Sequence, residues 1–115
     1  MKRLECPCCG LPTLPCRVAA VCPVCWWESD PIQDTSEDVS SGHNHGYTLR
    51  QARANFHHHG HMYDRGGEIR PLRSESEGRR HLMAYVADVQ SGQAKLDADA
   101  LERLLSHERA NWKQY

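Results

Sequence analysis

Apolar positions follow two regimes along the chain, and the change comes near Leu49. From there on they recur at helical spacing. Leu49, Ala52 and Phe56 make one buried stripe, Thr48-Leu-Arg-Gln51 is a capping box that opens it, and Gly60 stops it. Leu82, Val86 and Val89 make a second stripe that ends before Gly92, with Ser74-Glu-Ser-Glu77 as a further capping box. Asp99-Ala-Leu-Glu102 opens a last helix with Leu101, Leu104, Leu105 and Trp112 on one side. The last two helices are expected to form an antiparallel hairpin packed on the rest. A connector rich in Gly and Pro, Asp64-Arg-Gly-Gly-Glu-Ile-Arg-Pro-Leu-Arg73, separates them from the first. Before Leu49 no helical period exists. Residues 11–21 contain two prolines and the alternation Cys16, Val18, Ala20, which predicts a short hairpin there.

The fold class is therefore small α+β: an N-terminal region with a short hairpin, then about three α-helices. Two parts are expected within a single compact domain: residues 1–60 with one helix, and 61–115 carrying the connector and the helical hairpin. Composition makes the core small, because only 39% of the 115 residues are hydrophobic and one is Phe. Such a chain needs help to offset its conformational entropy. The N-terminal cysteines offer that help.

Cys6-Pro-Cys-Cys-Gly10 and Cys22-Pro-Val-Cys25 place two Cys-x-x-Cys pairs about a dozen residues apart. Taken as Cys6, Cys9, Cys22 and Cys25, they offer four thiolates to one ion, the tetrahedral demand of Zn²⁺, at about 2.3 Å per sulfur. Only this register gives x-x spacing on both sides, leaving Cys8 as a spare thiol and Cys16 in a loop. A structural zinc adds roughly 10–16 kcal/mol of binding free energy to folding, so its removal should unfold at least the N-terminal third. Rival readings are rubredoxin-like iron on the same ligands, disulfides and thioredoxin-like redox pairs. After the second pair comes Trp26 where the first has Gly10, so that turn is expected to close differently. Alternation would set one of Trp26 and Trp27 over the cage and the other outward.

The formal charge of −1 and the pI near 6.7 lack the excess expected of a dedicated nucleic-acid binder. Met1-Lys-Arg-Leu-Glu5 offers no signal peptide, and no later run is long enough for a membrane span, so the cytoplasm is expected. Local charge is more informative. Glu28, Asp30, Asp34, Glu37 and Asp38 lie in one segment without Lys or Arg, a candidate surface for a basic protein partner. Arg50, Arg53, Arg65, Arg70, Arg73, Arg79 and Arg80 are the candidate surface for nucleic acid, with no aromatic residues interleaved. His43-Asn-His45 spells HNH, but in HNH nucleases those letters stand far apart, so the triplet carries no such meaning. His57 and His61 are four apart, yet Gly60 interrupts them and no His-Glu-x-x-His pattern accompanies them. They are expected not to bind metal.

These motifs together, with Trp26-Trp-Glu28 and Asp30 after the second pair, Ser41-Gly-His-Asn-His-Gly46, and Leu49-Arg-Gln-Ala-Arg-Ala-Asn-Phe56, resemble the bacterial CPCC family of cysteine-rich proteins over approximately residues 4–60. Cys16 and the histidine run after Phe56 depart from the family pattern. The resemblance implies a zinc-ribbon-like pair of knuckles. Some members look like neighbours of toxin genes, which implies an immunity protein that neutralises a cognate toxin. Four cysteine ligands close the zinc to substrate, so no enzyme activity is expected. The function expected is a non-catalytic, zinc-stabilised protein-binding module; the alternative is a nucleic-acid-binding zinc ribbon or transcription-associated regulator.

Overall fold

Pro in each Cys-Pro-x-Cys turn fixes φ and removes one amide, so the chain reverses tightly at both cysteine pairs. The computed structural model, which describes residues 2–64 and 77–112, shows a short antiparallel pairing flanking each reversal. Strand β1 (Leu4–Glu5) pairs with β2 (Pro12–Leu14) around the first knuckle, with Leu4 opposite Leu14 and Glu5 opposite Pro12 across an irregularity. A single bridge, Val21 to Glu28, flanks the second. The expected hairpin within 11–21 is corrected accordingly. Its first residues form β2, but the partner strand precedes the first knuckle, and Cys16 and Val18 are exposed. Reversal at the knuckles, not side-chain alternation, sets the pairing.

Downstream of the knuckles, two 3₁₀ turns, Gln33–Thr35 and Gly42–Asn44, lead to helix α1 (Leu49–His59). Thr48 and Gln51 form the predicted capping box, and Gly60 ends the helix at φ 79°. Leu49, Ala52 and Phe56 are the buried stripe. Arg53 Nε donates to the carbonyl of Pro7 at 2.9 Å, and beyond the helix Met62 N donates to the carbonyl of Cys25 at 2.9 Å. α1 and its continuation thus brace both knuckles.

A buried polar core fixes the loop between. Asn44 is 1% exposed and Gln33 fully buried. Asn44 Oδ1 accepts from Glu28 N (2.8 Å), while Nδ2 donates to Glu28 O (3.0 Å) and Gln33 Oε1 (2.7 Å). Gln33 Nε2 donates to the carbonyls of Val39 (2.7 Å) and Tyr47 (3.0 Å). Every polar atom of both amides is used, as burial requires. The Asn of the His43-Asn-His45 triplet is thus a backbone clamp.

Two compact units divide the chain, Met1–Asp64 and Arg65–Tyr115. The first runs beyond residue 60 because Met62 is fully buried and bonded to Cys25. In the second, α2 (Glu77–Gln90) packs on α3 (Ala98–Trp112), burying Leu82, Val86, Leu101 and Leu105. Val89 and Leu104, expected on those stripes, are half-buried. Asp97 caps α3, its carboxylate accepting from the amides of Asp99 and Ala100. The helix therefore begins one residue before Asp99. The connector with Arg65, Arg70 and Arg73, and Ser74 of the second capping box, lie outside the described residues. Among the described residues no helix is long and apolar enough to cross a membrane.

Candidate metal centre

The sulfurs of Cys6, Cys9, Cys22 and Cys25 all lie within 4.8 Å of one another. Cys6 Sγ is 3.6 Å from Cys25 Sγ, and Cys9 Sγ is 3.7 Å from Cys22 Sγ, so each close pair joins one knuckle to the other. A tetrahedral ion with metal–sulfur bonds near 2.3 Å sets sulfurs about 3.8 Å apart. A disulfide needs about 2.05 Å, and all six cysteines are free. The donor set therefore fits one tetrahedral ion with soft ligands. Cys6, Cys22 and Cys25 are fully buried and Cys9 half-buried.

Each knuckle aims its sulfurs by the same backbone bonds. Gly10 N donates to Cys6 O and Trp26 N to Cys22 O, both at 2.8 Å; Cys6 N donates to Leu11 O and Cys22 N to Trp27 O, both at 2.9 Å. The expectation that the second turn closes differently is corrected: Trp26 adopts φ 70°, close to the 79° of Gly10. Neither Trp points outward, since Trp26 is 4% exposed and Trp27 fully buried. The indole N–H of Trp27 finds its acceptor in Asp34 Oδ1 at 2.9 Å, which is what lets the ring be buried.

Around the sulfurs, Thr13 Oγ1 lies 3.0 Å from Cys22 Sγ and is itself fully buried. Taken as thiols, Cys9, Cys22 and Cys25 hold their protons unequally. A hydrogen bond with Cys22 pushes Cys9 up, and burial pushes Cys25 up. Burial also opposes charge on Cys22, yet hydrogen bonds from Cys25, Cys6, Cys9 and Thr13 hold it well below the ordinary thiol value. A divalent cation supplies the charge that lets all four ionise.

Cys8 is buried and Cys16 exposed, with Cys16 Sγ 3.4 Å from Val18 O. Neither belongs to the four-sulfur group, the one metal-ligand cluster found among the described residues. His61 lies with its ring against Trp26 and His59. Its Nδ1 accepts from Tyr63 N at 3.2 Å.

The acidic segment divides in two. Asp34 is an internal acceptor, taking hydrogen bonds from Trp27 and from Ser29 Oγ at 2.7 Å. Glu28 is half-buried beside His43 (3.2 Å), and Asp30 caps its own turn by accepting from Ile32 N. Glu37 and Asp38 are exposed and face α1: Arg50 reaches both, at 3.0 and 2.9 Å, and Arg53 reaches Glu37 at 2.6 Å. The segment's missing cations thus come from a helix a dozen residues on. Sequence reasoning missed Thr13, Asn44 and Gln33 as structural groups, and the pairing of Arg50 and Arg53. One signal was present: aligning Cys6–Leu11 with Cys22–Trp27 as a repeat places Trp26 on Gly10.

Neither a curated protein nor a solved structure matches the chain. A family model described as Cysteine-rich CPCC matches residues 4–75, which span both knuckles, all four cage cysteines and helix α1, and the chain therefore belongs to that family.

Proposed function

We propose that the protein is a non-catalytic binding module, held together by one structural zinc and directed at a protein partner. The observation that carries this reading is the closed cage. Four buried or half-buried sulfurs at tetrahedral separations use every position of the ion, leaving none for a substrate or an activated water. Zinc suits such a set as a redox-inert ion that takes four thiolates tetrahedrally in structural sites. The metal then acts through folding: it fixes the two knuckles, and through Pro7 and Cys25 it fixes α1.

Glu37 and Asp38 support a protein partner. They are exposed carboxylates on the segment that follows the second knuckle, which holds its start rigid. Their bridges to Arg50 and Arg53 lie at the surface, where ion pairs contribute little, so a basic partner can recruit the carboxylates at small cost. Asp30 belongs to the same segment, whereas Asp34 serves the interior and Glu28 pairs with His43. In the form that the family resemblance implies, the partner is a cognate toxin in the same cytoplasm and the module its immunity factor.

Affinity capture from the native cell, followed by association kinetics with the captured protein, tests the reading. E37Q/D38N should slow association and flatten its salt dependence while metal content stays at one ion per chain. Salt-sensitive binding of nucleic acid that is weakened by R50Q/R53Q and indifferent to E37Q/D38N would contradict it.

A further inference from the structure

The two knuckles match bond for bond, yet at the shared corner one has Gly10 and the other Trp26, at φ 79° and 70°. A side chain at positive φ crowds the following carbonyl, and for a bulky residue the conformation is a true outlier. Glycine would serve the turn better. Such strain persists only where surrounding contacts over-determine it, and it is a guide to function.

The contacts that hold Trp26 come from the segment just past α1. Its ring stacks on His61 with centroids 5.6 Å apart and planes 16° from parallel, and Tyr63 lies 6.3 Å away. Between those two residues, Met62 donates its N–H to the carbonyl of Cys25, the ligand that precedes Trp26, and its side chain is fully buried. Asn55 Nδ2 secures the carbonyl of Met62 at 2.8 Å. His61 also stacks on His59 at 5.7 Å, and His59 meets His58 at 6.1 Å. The exposed histidines at the end of α1 are thereby joined, ring by ring, to the knuckle.

We infer that Trp26 is a clasp coupling metal occupancy to the seating of Gly60–Asp64, so that the face bearing His58, His59 and His61 takes its folded form only when the cage is closed. The inference rests on the metal reading of the cage and is independent of the partner. With an ion bound, the turn through Cys22 to Cys25 is fixed and Trp26 must hold positive φ; the stack on His61 offsets that strain. Without the ion the corner relaxes to negative φ. The ring then leaves His61, and the Cys25 carbonyl turns from Met62. Because linkage is reciprocal, loosening the segment while the corner stays strained must weaken metal binding.

The test uses the full chain loaded with zinc. Zinc stoichiometry and affinity, by chelator competition, and exchange of the Met62 and Tyr63 amides are compared for wild type, H61A, W26G and the double variant. H61A keeps the strain and loses the stack, so zinc affinity should fall about tenfold. W26G loses both together, so its affinity should stay within about threefold of wild type while Met62 exchanges at least roughly tenfold faster. The double variant should match W26G. A larger loss of zinc in W26G than in H61A, additive effects, or unchanged Met62 protection in W26G would overturn the clasp. A wild type that binds no zinc would overturn the cage reading itself, and the clasp with it.

Discussion

Replacing Asn44 by Ala should be among the most damaging changes outside the cage. Asn44 makes three hydrogen bonds, of 2.8, 3.0 and 2.7 Å, while 1% exposed. Truncation leaves Glu28 N–H, Glu28 C=O and Gln33 Oε1 without that partner. A buried polar group so orphaned costs about 1–3 kcal/mol. Gln33 is fully buried and takes the full penalty, whereas Glu28 is half-buried and water can repair part of it. The sum is about 2–4 kcal/mol, and for a unit of this size each kcal/mol lowers Tm by roughly 4–8 °C. The assay is thermal unfolding at fixed excess zinc, since free metal itself shifts Tm. N44D provides the control. One carboxylate oxygen still accepts from Glu28 N, but the other faces Glu28 O and Gln33 Oε1, and Gln33 cannot turn because its Nε2 serves Val39 and Tyr47. N44D should therefore be no more stable than N44A at neutral pH. A shift below about 0.5 kcal/mol for N44A, the range of an ordinary surface change, would refute the clamp.

Further outcomes follow from other contacts. T13V removes the hydroxyl beside Cys22 and should weaken zinc roughly 10- to 100-fold, a charge-assisted hydrogen bond of about 1.5–3 kcal/mol, with T13S restoring most of it in chelator competition. D34A strands the buried Trp27 N–H and should cost about 1–3 kcal/mol in denaturant unfolding, whereas E37Q, at an exposed site, should leave the midpoint unchanged. T48A removes the α1 cap and should cost about 1 kcal/mol. Arg50 holds the Asp38 carboxyl below its ordinary value, by hydrogen bond first and charge second. A depressed folded pKa means that the contribution of this pair is present above the unfolded carboxylate pKa and is lost as pH falls through the folded one. In an NMR titration, R50Q or high salt should raise the Asp38 midpoint.

How much of this was legible in the sequence depends on the range of the interactions. Helix α1 was legible to its ends, because Thr48, Gln51 and Gly60 act on backbone groups three or four residues away. The four-cysteine cluster was legible because its two Cys-x-x-Cys pairs mark it in spacing. The strands were not: with two and three residues, β1 and β2 are too short to show a period, and their register follows from the knuckle between them. Nor were Asn44 and Gln33, whose burial depends on partners 11–16 residues away. The pairing of Glu37 and Asp38 with Arg50 and Arg53 escaped for the same reason, since those arginines stand a dozen residues on, in α1.

Elemental analysis of wild type beside single Cys→Ser variants tests most directly whether one ion sits in one set of ligands. Wild type, C8S and C16S should each carry one zinc per chain, and C6S, C9S, C22S and C25S should each lose it. Loss in C8S or C16S with retention in C9S or C22S would contradict the cage.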